Sequence, residues 1–376
     1  MLVLLAIRWL ARLVRGDARR GWPLAWPVGV FAVASVAAAL LSAHPLESLV
    51  SARTVLLLAS LWIVRDALRD AAEARIALLA LLGVLGVASA VGIAQVLGCA
   101  AWPGAVARLA DAAPWLPLMP WLTKLGTKCH RARGFFSIYM TLAGVLNVAL
   151  LAALPVLVWS RGRPRRAPLV WLLDLVAFLL TYVRGAWLGF AAGVAVLGGS
   201  LRRGRGVLFA CLVALAVALL LLPGVRARMR SIADPRDPTS SERVLMWKSG
   251  LAIARDHLLA GVGPGQVKRV YPHYAAPEVF NKYRGHVHNS PLQILIERGI
   301  VGFVAWVSMF AAFFVYAARA ARRLPEESGG HALVIGAISA IAGFLVGALF
   351  EHSFGDSEVL LAATFVMGLA FVVADS

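Results

Sequence analysis

The sequence predicts an all-α polytopic membrane protein. Three observations carry this. The 376 residues are 60% hydrophobic with a mean hydropathy of +0.79, against roughly 45–50% apolar residues in ordinary soluble domains. Long apolar runs recur along almost the whole chain, too continuous for barrel strands, whose residues alternate. The basic excess, a net charge of +18, gathers largely in short loops between those runs, which is the positive-inside pattern. The same charge in a soluble chain would raise the question of nucleic acid, but no nucleic-acid module is found and none is expected as a partner.

A span needs about 20 apolar residues, with a range of about 17–25. The runs of that kind are Leu24–Ser42, Ser48–Val64, Arg75–Leu97, Phe135–Trp159, Pro168–Val183, Gly185–Ser200, Val207–Pro223, Pro291–Ala317, Ala332–Phe350 and Ser357–Ala374. Two of them nearly touch at Arg184 and predict a tight hairpin that turns there. Met1–Leu13 is apolar but short and is followed by no small-residue cleavage site, so it reads as a truncated or interfacial first helix. If it is a complete span, a cytoplasmic start requires a further helix upstream, and the expected total is about eleven or twelve transmembrane helices.

Orientation follows from charge. Arg161–Arg166 carries four arginines and Arg202–Arg205 three. Ala318–Arg323 contains Arg319, Arg322 and Arg323, and Arg65–Arg75 and Arg15–Arg20 are also basic. Alternating crossings put all these loops on one side, which is therefore cytoplasmic. His44–Glu47, Gly98–Gly134, the Arg184 turn, Gly224–Ser290 and Glu351–Asp356 face the other way, to the non-cytoplasmic side. Cys99 and Cys129 flank one of these outer loops, where an oxidising compartment permits a disulfide; two free thiols is the alternative. Cys211 falls within a span and reads as packing. The chain thus divides into N-terminal helices with a first outer loop (1–134), central helices (135–223), a large outer loop (224–290) and C-terminal helices (291–376).

The large loop is the one long polar segment, and long loops in compact proteins are functional or disordered. This one has the marks of order. Asp234–Pro235 and Asp237–Pro238 predict turns, and Thr239 with Glu242 forms a capping box for a helix from about Ser241 to Asp256. Arg243 opens that helix against its dipole, with Trp247 and Gly250 on neighbouring turns. Gly261-Val262-Gly263-Pro264-Gly265 follows. Its backbone N–H groups could cradle a phosphate, yet its spacing is neither a Walker loop nor a dinucleotide fingerprint, so a structural turn is the stronger reading. The loop ends in His286-Val287-His288-Asn289-Ser290.

Chemistry is therefore expected on the outer face. Arg184 stands at a membrane boundary, where ionisable groups are expensive and often functional, or simply snorkel. His286 and His288 precede a helix that returns to lipid, and Glu351, His352, Asp356 and Glu358 fill the last outer turn. An H-x-H pair can share a metal, but no clear third and fourth ligands stand out. The competing reading has arginines holding an anionic leaving group and a neutral histidine taking a proton.

These residues fall in an order that resembles the O-antigen ligase and polymerase superfamily: Thr181-Tyr-Val-Arg184-Gly-Ala-Trp-Leu-Gly189, then Glu242-Arg243-x3-Trp247, then Gly261-Val-Gly-Pro-Gly265, then His286-Val-His-Asn289-x2-Leu292-x4-Glu297-x-Gly299-x2-Gly302. The resemblance covers roughly 135–374. Val183 replaces the serine that usually precedes the first arginine in that family. The resemblance implies about a dozen spans with a periplasmic loop over a cavity, a lipid-dependent glycosyltransferase fold of the GT-C-like kind, and no cofactor or metal. It implies transfer of O-antigen from undecaprenyl pyrophosphate to a sugar hydroxyl of the lipid A–core oligosaccharide, with inversion at the anomeric carbon. His288 would be the general base and Arg184 and Arg243 the diphosphate ligands. His286, Arg133, Tyr283, Arg284, Asp356 and Trp247 are candidates for substrate contact or orientation. An O-antigen polymerase or a protein O-oligosaccharyltransferase shares this donor and is the nearest alternative. A transporter would call for internal repeats and broken mid-membrane helices; no clear repeat is found. A purely structural scaffold explains neither the loop nor Arg184.

Overall fold

The computed structural model describes residues 2–16, 21–99, 101–113, 115, 129–159, 164–200, 226, 238–279, 282–326 and 328–374. Among them every regular element is helical. Apart from the short helical turns Val267–Val270 and Tyr271–His273, these are in chain order α1 (Leu2–Val14), α2 (Ala25–Leu40), α3 (Pro45–Ala67, whose middle turns are 3-10), α4 (Ala71–Leu97), α5 (Trp102–Ala112), α6 (Tyr139–Trp159), α7 (Ala167–Leu180), α8 (Arg184–Ser200), α9 (Pro238–Asp256), α10 (Ser290–Arg323), α11 (Gly329–Ala348) and α12 (Ser357–Ala374). Six of them, α3, α4, α6, α10, α11 and α12, are long and apolar enough to cross a membrane, and α2 and α7 are shorter apolar helices. The protein is thus an all-α polytopic membrane protein with a structured loop region. The expected span Val207–Pro223, with Cys211, the loop Arg202–Arg205 and the turns at Asp234–Pro235 and Asp237, lies outside the described residues.

The centre of the bundle is α6. Its residues Leu142–Leu157 are buried on every side apart from Gly144, as expected of a helix apolar all round. α11 and α12 pack on it, while α4 and α10 leave apolar residues such as Val84, Val87, Val301 and Val304 exposed at the periphery, where lipid rather than water is the compatible solvent. The closest crossing joins α8 to α11. A Cβ on Gly189 would stand 2.4 Å from the Gly343 carbonyl oxygen, and one on Gly193 2.8 Å from that of Ser339. Small residues at such a seam let two backbones meet. This register brings the start of α8 to the end of α11, where a Cβ on Gly185 would stand 2.7 Å from Phe350 Cβ and 3.8 Å from Glu351 Cγ.

Two boundaries differ from expectation. α9 begins at Pro238, earlier than Ser241, and Glu242 is ion-paired with Arg284; its carboxylate is drawn to a charge across the loop instead of to its own helix end. In α10, hydropathy runs without interruption from Pro291, but Gly299 takes φ 64° and ψ −169° and breaks the helix. The turns before the break are shared between two cores, with Ile294 buried in the bundle core. Leu292 and Ile296 pack with Met246, Ile253, Val262, Tyr271 and Val287 in a second, separate core that belongs to the loop region.

At the end of the bundle away from that loop, α1 is docked by a two-pronged Arg8–Glu73 pair at 2.8 and 3.0 Å and by Arg12 Nη1 donating to the Asp66 carbonyl oxygen at 2.6 Å. Its 13 residues are too few for a span. At the loop end, Cys99 and Cys129 are joined, with an S–S distance of 2.01 Å.

Candidate active site

The site is built from the segment that feeds α10. Asn289 caps the helix, its Oδ1 accepting from Leu292 N at 2.9 Å, and Pro291 occupies the first turn, where its missing N–H costs nothing. Val287 is fully buried; its N–H donates to Gln293 Oε1 at 3.0 Å, and its carbonyl accepts from Trp247 Nε1 at 3.1 Å. Between these anchors His288 is held at φ 48°. A left-handed non-glycine residue costs about 1–2 kcal/mol and persists only where its surroundings impose it.

The ring of His288 is tied as well. Its Nδ1 lies 3.0 Å from Glu351 Oε2, and Arg243 Nη2 donates to Glu351 Oε1 at 2.5 Å. The backbone around Glu351 is fastened by Ser290, whose Oγ donates to the Glu351 carbonyl at 3.0 Å and accepts from Phe354 N at 3.2 Å. Burial alone would raise the Glu351 carboxyl, but the His288 hydrogen bond and the Arg243 charge outweigh it and hold it below the usual carboxylate range. An ionised carboxylate only accepts, so His288 Nδ1 must carry the hydrogen, and Nε2 is the nitrogen that offers a lone pair in the neutral ring. Arg184, 8% exposed, donates through Nη2 to Ser240 Oγ at 3.2 Å. Ser240 and Arg243 lie on adjacent turns of α9, so both arginines meet the same helix beside Glu351.

A cleft of about 460 Å³ opens over this arrangement, and its walls include Tyr283, Arg284, His286, His288, Glu351, His352 and Asp356. His286 packs edge-on to His288, with centroids 4.4 Å apart, and stacks on His352 at 5.3 Å. Burial, with the neighbouring His288, pushes His286 down to about 4; burial, with His286, pushes His352 down to about 3. Both are neutral at neutral pH. Asp356 faces the cleft while capping α12, accepting from Thr141 Oγ1 at 2.5 Å and from Val359 N at 3.3 Å.

Of the residues singled out in the sequence, Arg243, Tyr283, Arg284, His286, His288 and Asp356 come together at or beside the cleft, with Arg184 one turn of α9 away. Trp247 supports the floor through Val287. Arg133 is buried behind the end of α4, its backbone N–H 3.4 Å from Gln95 Oε1, and it does not line the cleft. The glycine turn is not a phosphate cradle. Gly263 N donates to the Glu297 carbonyl at 3.0 Å and Gly265 N to Glu297 Oε1 at 3.1 Å. Its N–H groups are already used to clamp the break in α10. Among the described residues, the grouping of three potential metal-ligand atoms within reach of one another is Cys99, Cys129 and His130. There the two sulfurs are bonded to each other. The histidines at the cleft form no such group.

Sequence reasoning gave no role to Glu351 or His352. Both were visible in an outer turn that faces arginine-bearing segments, but no motif joins them to His288. No curated protein matches this chain. Residues 169–307, the stretch that carries Arg184, Arg243, His286 and His288 but stops short of Glu351, match the family model described as O-antigen ligase.

Proposed function

We propose that this protein is an O-antigen ligase of the bacterial inner membrane, with its site on the periplasmic side. It moves a glycan from undecaprenyl pyrophosphate to a hydroxyl of the lipid A–core oligosaccharide. The observation that carries this reading is the Arg243–Glu351–His288 chain at the wall of the cleft, of which Arg243 and His288 fall within the family match and Glu351 lies beyond it. His288 Nε2 takes the proton of the acceptor hydroxyl as its oxygen attacks the anomeric carbon. The bond from that carbon to the phosphate oxygen breaks, and its electron pair leaves on undecaprenyl pyrophosphate, inverting the configuration. The departing diphosphate needs cations where the lipid head meets water. Arg184 is one. Arg243 gives one nitrogen to Glu351, and its remaining N–H groups are assigned to the diphosphate, which suits a planar fork. Such a base contributes about 10²–10⁴-fold. The reading needs no metal or cofactor.

The test is cell-free transfer with purified protein, undecaprenyl-pyrophosphate-linked glycan and lipid A–core, without ATP and with chelator. A shifted lipid A–core ladder that disappears in His288→Ala, a variant expected to express and fold normally, is the expected result. Transfer undiminished in that variant overturns the base assignment. Longer lipid-linked chains without a ladder would mean a polymerase, and no reaction with either acceptor would favour a protein acceptor or transport.

A further inference from the structure

Three side chains of α10 beneath His288 take no part in the chemistry above. Gln293 is fully buried, and both ends of its amide are used. Its Oε1 accepts from Val287 N at 3.0 Å, while its Nε2 donates to Glu297 Oε1 at 2.8 Å and reaches the Gly285 carbonyl at 3.4 Å. Glu297 is held in turn by Arg298 Nη1 at 2.6 Å, and Arg298 Nε donates to Ser35 Oγ on α2 at 2.9 Å. A carboxylate oxygen cannot donate and a backbone N–H cannot accept, so the amide has one workable orientation. The result is a directed chain that starts on α2, passes through an ion pair and ends on the residue before His288. The helix does not need this chain, since Asn289 already caps it. What needs it is the segment 285–288, in which His288 occupies a backbone region that few non-glycine residues hold unaided.

We propose that Gln293 is a positioning residue: held by Glu297, it fixes Val287 and thereby aims the His288 ring at the acceptor hydroxyl. The inference rests on the reading of His288 as the base. It explains why a fully buried amide sits between a charged pair and a loop, where a leucine would fill the space but leave the buried Val287 N–H without its acceptor.

Two variants test it. Gln293→Leu keeps the volume and removes every hydrogen bond; kcat should fall by about 10–100-fold, as for a base displaced by about an ångström, with the KM for donor essentially unchanged. Gln293→Glu distinguishes aiming from mere filling. A protonated carboxyl donates to Glu297 and accepts from Val287 as the amide does, whereas an ionised one repels Glu297. The charged or titratable groups around position 293 are Glu297 and Arg298 on its own helix and Arg284, His286 and His288 on the segment packed against it. Facing a carboxylate in a buried place, the new carboxyl should stay protonated well above the ordinary carboxylate range. The activity of Gln293→Glu relative to wild type, measured at each pH, should therefore rise several-fold from roughly pH 8 to roughly pH 6. A wild-type kcat in Gln293→Leu, or a flat ratio for Gln293→Glu, overturns the proposal; should Gln293→Leu fail to fold, the ratio alone decides. The two levels of inference separate cleanly. Activity in His288→Ala removes the base itself, whereas an inactive His288→Ala beside wild-type Gln293 variants removes only the positioning role.

Discussion

Glu351 answers to two partners at once. One oxygen faces Arg243, the other His288 Nδ1, and the side chain is almost fully buried. Glu351→Gln is therefore more than a loss of charge. Arg243 can only donate, so it selects the amide oxygen and turns the amide nitrogen towards His288. Nδ1 must then accept, the imidazole hydrogen moves to Nε2, and the atom meant to take a proton already holds one. We predict a fall in kcat of about 10²-fold or more with the variant still folded, read as initial rates of glycan transfer at saturating donor; wild-type kcat would remove Glu351 from the mechanism. This residue also marks where reading by sequence stops. His286, His288, Tyr283 and Arg284 sit in one short stretch, and Arg243 follows closely on the turn signals before a loop helix, so each offers a local signal. Glu351 meets His288 across 63 positions and two membrane-crossing helices, and nothing in the string ties one to the other. Trp247 shows the converse: its place in a motif suggests substrate contact, while its indole N–H is spent on Val287.

At the scale of elements, α10 is two helices with different duties joined at Gly299. The first carries the site-facing turns and sends Leu292 and Ile296 into the loop core and Ile294 into the bundle core; the second continues as the apolar span. Gly299 has φ 64°, and a Cβ there would stand 2.1 Å from the Leu259 carbonyl oxygen. Gly299→Ala combines backbone strain with a collision against main chain that cannot turn aside. We predict destabilisation by about 3 kcal/mol or more, seen as a lower thermal midpoint in detergent together with lost transfer. Gly83→Ala in α4, where the added methyl meets nothing within 4 Å, should be neutral or slightly stabilising, since alanine is the better helix former. Equal midpoints for the two variants would mean that the break is not needed. Six of the expected spans were legible because lipid demands long apolar runs; the short link 181–183 was legible from two such runs almost touching, but α7 and α8 do not pack together along their lengths as the expected hairpin. The break was not, because hydropathy cannot see a dihedral angle. A glycine in a run of good helix formers reads as tolerated, and only the Gly261–Gly265 turn clamped around Glu297 reveals why it is there.

Across the whole molecule the two ends differ in kind. One carries the cleft, the loop core and the Cys99–Cys129 bond; the other carries Arg65 in the last turn of α3, Arg69 in the connection after it, and Arg322 and Arg323 closing α10. A disulfide fits an oxidising compartment and basic connections fit the cytoplasm, so both signals support the proposal that the cleft faces the periplasm. That agreement yields a prediction independent of any substrate. In a Cys211→Ser background, Tyr283→Cys, at a position 72% exposed at the cleft, should react with a membrane-impermeant maleimide in intact spheroplasts. Arg69→Cys, whose native side chain is 74% exposed at the far end, should react only after lysis. The reverse pattern would place the cleft in the cytoplasm, where soluble nucleotide-activated sugars are the available donors. His288 could then still act as a base, but the diphosphate assigned to Arg184 and Arg243 would have to belong to a nucleotide instead of a lipid.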